Sequence, residues 1–189
     1  MRVFTSGLMV FTILFPPVVL AAPREKVNVQ YYDIEGRTKK ELIKEMKKKG
    51  VHDGGKHFHA NTHWRVTWNY DYAPSSDGCR AHSVKTDLDI DFLLPRWVPP
   101  AGVSQDLMKK WETYYAALKT HEEGHADMGR KAAQEIEEKL WSLGPGLACP
   151  QFQKAANQEG GRIIDRYRKE DSDYDKRTQN GRKQGAFLD

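Results

Sequence analysis

Two stretches of the chain alternate hydrophobic and polar residues with period two, and a third repeats them with helical period. In the first, Phe58, Ala60, Thr62, Trp64, Val66, Trp68, Tyr70 and Tyr72 alternate with His57, His59, Asn61, His63, Arg65, Thr67, Asn69 and Asp71. That is the signature of a strand with one wet face. A turn at Pro74-Ser75-Ser76-Asp77-Gly78 leads to the second, where His82, Val84, Thr86, Leu88, Ile90, Phe92 and Leu94 share the apolar side. The pair predicts an antiparallel hairpin, with Pro95, Pro99 and Pro100 ending strand character. Upstream, Val27 to Ile34 reads as a short strand. Thr38-Lys39-Lys40-Glu41 then opens a helix that Gly50 closes, with Leu42, Ile43 and Met46 on its apolar side.

From Ser104 to Leu143 the period becomes helical. At 100° per residue from His121, a stripe roughly 120° wide collects Leu107, Trp111, Tyr114, Leu118, His125, Met128, Ala132, Ile136, Leu140 and Leu143. Such a run would be about 60 Å long, which predicts a kink or break, with Thr120 capping a second segment. Gly144-Pro145-Gly146 stops it. A further helix from about Pro150 to Lys169 buries Phe152, Ala156, Ile163 and Tyr167, and the last twenty residues read as extended or irregular. The pattern predicts an α+β fold: a small antiparallel β-sheet packed against a long helix, with flanking helices.

The start of the chain carries an address. Met1-Arg2 is positive, Val3 to Leu20 is mostly apolar, and Ala21-Ala22-Pro23 supplies small residues. Residues 1–21 therefore read as a secretory signal peptide and 22–189 as a single domain, with no stable membrane span after cleavage and a secreted or periplasmic location. The alternative is an uncleaved anchor, which Pro16-Pro17 and the polar residues in the stretch oppose. With 30 Lys+Arg against 26 Asp+Glu, mixed in sign along most of the chain, a basic nucleic-acid-binding face is not expected. The two cysteines, Cys79 and Cys149, then predict one disulfide joining a strand region to a helix end.

Within the apolar stripe lies His121-Glu122-Glu123-Gly124-His125, a His-Glu-x-x-His motif. Residues four apart on a helix are about 40° apart around its axis, so both imidazoles can hold one Zn²⁺. Glu122, on the flank, can take a proton from a zinc-activated water and deliver it to a leaving amine. This is the chemistry of a zinc metallopeptidase acting on protein or peptide substrates. A random chain with seven His and twelve Glu would contain the motif only about 0.02 times. The competing reading makes the two histidines satisfied core residues, or part of a partner-binding helix face or structural metal site in a non-catalytic envelope protein. Gly124 and Gly129 leave room beside the stripe, either for the site or for close helix packing.

A catalytic metal needs a third ligand. Lys131 occupies the place of a third histidine six residues beyond the second, and Asp127 is on the wrong side of the helix. His82, on the apolar side of its strand, is a candidate; so are the downstream donors Glu159, Asp165, Asp171, Asp175 and Asn180. His57, His59 and His63 share one polar strand face and read as a surface metal site or as solvated histidines. Trp64 and Trp68 read as sheet core or as a platform for a cell-wall carbohydrate.

An ordered set of short motifs runs from about Val29 to Ala186. It comprises Tyr31, Gly36-Arg37-Thr38, Glu41-Leu42, Thr62-His63-Trp64-Arg65-Val66-Thr67-Trp68, Cys79, Leu94-Pro95-Arg96-Trp97, Trp111, Tyr115, Leu118, the histidine motif, Cys149, Tyr174-Asp175, Thr178, Gly181 and Gln184-Gly185-Ala186. Here the chain resembles a family of secreted bacterial proteins predicted to be zinc-dependent proteases, domain of unknown function 922. The resemblance implies that His121 and His125 are zinc ligands and Glu122 the catalytic carboxylate. It also implies a histidine before Gly181, where this chain has Asn180, a poorer zinc donor.

Overall fold

A computed structural model describes residues 22–188. The predicted signal peptide lies outside them. The order is β1 (Arg24–Ile34), α1 (Lys39–Lys49), β2 (Val51–Asp53), β3 (Lys56–Phe58), β4 (Asn61–Ser75), β5 (Gly78–Trp97), α2 (Gln105–Ser142), α3 (Cys149–Thr178) and a single 3₁₀ turn at Arg182–Gln184. The class is α+β, as the patterning predicts. No helix among the described residues is long and apolar enough to cross a membrane.

β4 and β5 form the expected antiparallel hairpin, with Trp64 opposite Ile90, Val66 opposite Leu88 and Trp68 opposite Thr86. Their apolar side is buried under α2 at Trp64, Val66, Val84, Leu88, Ile90, Phe92 and Leu94. Trp68 packs on Gly160 of α3, where an added Cβ would come within 2.5 Å of its ring. Both tryptophans therefore belong to the packing between sheet and helices. Pro95 does not end β5, which continues to Trp97 beside Ile34.

The sheet order β1-β5-β4 is mixed rather than wholly antiparallel, because β1 runs parallel to β5. Connection length explains this. β1 ends at Ile34 opposite Trp97 and β4 begins at Asn61 opposite Leu93, so both points lie at the same end of β5. The linking segment, α1 and the small β2–β3 hairpin, therefore carries the chain from one side of β5 to the other without running back along the sheet. That hairpin also splits the single strand expected from His57 to Tyr72. Gly54 and Gly55, at φ 53° and 76°, turn Lys56–Phe58 back onto Val51–Asp53, placing His57 opposite His52 and away from His63.

α2 is continuous. Ser104 caps it by accepting from the Leu107 N–H at 3.2 Å, but Thr120 caps nothing, since its hydroxyl donates back to the Ala116 carbonyl at 3.0 Å. Thirty-eight helical residues extend about 57 Å, and the 20-residue β5 offers a partner of similar length. α3 begins at Cys149 with Pro150 in its first turn and runs past Lys169 to Thr178. Lys169 and Lys176 both pair with Asp173, so the final turns are held by charge without an apolar stripe.

Cys79, at the start of β5, is disulfide-bonded to Cys149, the first residue of α3, with Cα atoms 5.0 Å apart and a sequence separation of 70. On the chain-entropy model a loop of that size contributes roughly 4 kcal/mol. Replacing both cysteines with alanine should lower unfolding stability by up to about that amount. Urea denaturation of the two proteins, with reductant as a control, measures the difference.

Candidate metal centre

The helical spacing places His121, Glu122 and His125 on the buried side of α2, each less than a tenth exposed. Two glycines make that side approachable. A Cβ on Gly129 would come within 2.9 Å of Trp64, and one on Gly124 within 2.2 Å of the Tyr174 hydroxyl. The Tyr174 ring stacks on the His121 ring, centroids 5.1 Å apart and planes 17° apart, and its hydroxyl donates to the His121 carbonyl at 3.3 Å.

Outer partners set the orientation of the two imidazoles. His125 Nδ1 donates to Asp171 Oδ1 at 2.7 Å, and His121 Nδ1 donates to Gln184 Oε1 at 2.9 Å. The Gln184 amide is itself fixed, its Nε2 donating to the Tyr174 hydroxyl at 2.9 Å. With the ring protons on Nδ1, both Nε2 atoms turn lone pairs towards each other, 3.3 Å apart. Asp175 Oδ1 completes the group at 3.1 Å from His121 Nε2 and 3.2 Å from His125 Nε2. Three lone-pair atoms at such spacing repel unless a cation lies among them.

A proton is one such cation. Burial lowers the His125 pKa, but hydrogen bonds to Asp171 and Asp175, and their charges, outweigh it and push the pKa up to about 10. Burial also raises Asp175, yet its bonds to both histidines hold the carboxyl well below the usual range. A metal ion is another. Two imidazole nitrogens and one carboxylate oxygen are a zinc donor set, and a tetrahedral ion with bonds of about 2.0–2.1 Å would separate its ligand atoms by about 3.3 Å. The three edges fit that figure closely. His121, His125 and Asp175 are the donor group close enough to share an ion among the described residues.

Glu122 points across to the sheet. Its Oε2 accepts the Thr62 hydroxyl at 2.7 Å, and the same hydroxyl reaches the Glu122 carbonyl oxygen at 3.1 Å. Burial raises the Glu122 pKa above the usual carboxylate range, partly offset by the Thr62 bond and by His125 and His121. The donors and Glu122 line a cleft of about 550 Å³ bounded by α1, the β2–β3 hairpin, the end of α3 and the segment to Leu188.

The third donor is thus Asp175, and neither His82, Glu159 nor Asn180 joins the group. His82 falls at a bulge, where Asp71 pairs with Ser83 and Tyr72 with Ala81, so it leaves the inward alternation and is exposed. Glu159 is more than four turns up α3 and pairs with Arg162. Asn180 lies along the cleft, but it is exposed in a left-handed turn at φ 51° with its backbone N–H on the Asp175 carbonyl. Of the two readings of His57, His59 and His63, the shared metal site does not form among the described residues; His59 bonds Tyr114.

Gln184 and Tyr174 were visible only as members of the ordered short motifs and Thr62 only there and in the strand alternation, whereas Asp171 and Asp175 carry a direct signal. They are four residues apart on a helix, the spacing of the histidines they face. Gly124→Ala should force Tyr174 from His121 and cost about 1–3 kcal/mol, the usual penalty of overpacking. Chemical denaturation measures the loss, and the near-ultraviolet signal of the displaced tyrosine locates it.

No curated protein and no solved structure matches the chain. A family model described as a bacterial protein of unknown function (DUF922) matches residues 29–182, a span that holds β5, all of α2 and α3, and every member of the donor group. The chain belongs to this DUF922 family of bacterial proteins.

Proposed function

We propose that the protein is a zinc-dependent peptidase of the periplasm or extracellular space, with His121, His125 and Asp175 as metal ligands and Glu122 as the general base. The observation that carries this reading is the convergence of three lone-pair atoms at 3.1–3.3 Å, with both Nδ1 atoms tied back so that neither Nε2 can turn away. Partners of this kind around a metal's ligands fix ring tautomer and direction, and losing one costs 10–100-fold in metal affinity.

Bound zinc supplies positive charge that acidifies water and polarises a carbonyl. The protein's own part falls to Glu122. Its carboxylate accepts a proton from the water whose oxygen bonds to the carbonyl carbon. The same proton then goes to the amine nitrogen as the C–N bond breaks, leaving an acid and an amine and returning Glu122 to its ionised form. Burial, which weakens the preference for the charged form, suits a group that must hold and release a proton in one cycle. Thr62 keeps the carboxylate from swinging away between the two transfers. The Cys79–Cys149 disulfide supports action in an oxidising compartment.

Elemental analysis of purified protein should find one zinc per chain, with His121→Ala and Asp175→Ala each losing it. Zinc-free wild-type protein, prepared without chelator, would defeat the reading. Glu122→Gln should keep the zinc and lose at least about 100-fold in peptide hydrolysis, read as kcat on an unfolded protein substrate. Unchanged turnover in that variant would show that another group moves the protons.

A further inference from the structure

One half-buried histidine of the cleft takes no part in the donor group. His59 lies in the link between β3 and β4, three residues before Thr62, and lines the same cleft as His121, Glu122 and Asp175. Two tyrosines fix it. Tyr32, from β1, donates to the His59 carbonyl at 2.5 Å, and the hydroxyl of Tyr114, from α2, is 2.8 Å from His59 Nδ1. Tyr114 is buried, and its other neighbour is Met46 Sδ at 3.3 Å, a weak acceptor. The phenolic proton therefore goes to Nδ1, and the ring keeps its own proton on Nε2. That nitrogen has no hydrogen-bond partner among the described residues, and it is not sealed from solvent. Burial, with the charge of Lys47, lowers the His59 pKa, so the ring is a neutral donor near pH 7.

Such a ring is more than a satisfied core residue. A core histidine would use both nitrogens inside the protein, whereas this one spends Nδ1 on its own orientation and leaves Nε2–H unpartnered on a residue that lines the cleft. We propose that His59 Nε2–H is the hydrogen-bond donor to the scissile carbonyl oxygen, with Tyr114 the positioning residue that fixes its tautomer. This assignment rests on the peptidase reading. No proton changes hands at His59: the bond tightens as the carbon–oxygen π bond opens and the oxygen gains charge, and it relaxes when the C–N bond breaks. A donor fixed in place before the reaction needs no reorganisation at that moment, and removing one such donor lowers kcat by about 100–1000-fold.

The test uses zinc-loaded protein and two probes: unfolded casein for turnover, and N-phosphoryl-leucyl-phenylalanine, whose phosphoryl oxygens imitate the tetrahedral oxygen, for binding. His59→Leu should lower kcat about 100-fold and weaken the phosphoryl probe by a similar factor, with KM and zinc content unchanged. His59→Gln, which restores an N–H, should recover about tenfold of each. Nitrogen NMR should show the Nε2–H tautomer at His59 in the wild type and a mixture in Tyr114→Phe; this readout stands even where His59→Leu fails to fold. Wild-type turnover and probe binding in folded His59→Leu, while Glu122→Gln is inactive, would overturn the His59 assignment alone. A Glu122→Gln variant as active as wild type would remove the peptidase reading and this assignment with it.

Discussion

Three acceptor atoms brought together in a half-closed cleft form the constraint on which the rest of the structure depends. Two imidazoles one helical turn apart could relax by rotating, but Gln184 and Asp171 hold their Nδ1 atoms and so aim both Nε2 atoms at Asp175. The arrangement is unfavourable without positive charge between the three. Each surrounding element can be understood as support for it: α2 supplies the rings, α3 the carboxylates, and the segment beyond α3 the amide that turns His121.

Long contacts keep those pieces in register. α2 lies along the β4–β5 hairpin and packs against α3, so the donors sit where a sheet-backed helix meets a helix pinned by the disulfide at its far end. The helices approach closely because Tyr174 fills the space that Gly124 leaves, and α2 lies close to the sheet because Trp64 does the same at Gly129. Continuity of α2 matters here. A break near Thr120 would uncouple His121 from the packing upstream of it at Leu118 and Tyr114, and through Tyr114 from His59.

Much of this was legible in the residue pattern. Period-two alternation located the long hairpin, helical spacing gave α2 from its Ser104 cap to within a residue of its end, and the inward direction of His121 and His125 followed from the apolar stripe. Cys79 and Cys149 paired because two cysteines leave no other intrachain choice. What escaped the pattern did so for physical reasons. The last turns of α3 bury little and are charged throughout, so hydrophobic periodicity is silent where Asp175 lies. His82 keeps the parity of the apolar face until a bulge shifts it by one residue. The parallel direction of β1 depends on where a connection returns, which no strand records in its own residues. Tyr114 looked like ordinary core, and its hydroxyl counts only because His59 arrives from 55 residues away.

The contact at Gly124 carries a consequence for inheritance. It is a lock between a hydrogen atom on α2 and the aromatic ring of Tyr174 on α3, so neither half can drift by itself: enlarging the glycine expels the ring, and shrinking the ring opens a void. Change here must come as a compensating pair, separated by 50 positions along the chain. Among descendants of this protein, Gly124 with Tyr174 should therefore be kept or abandoned together, a covariation that comparison of lineages can read without any knowledge of what the cleft does.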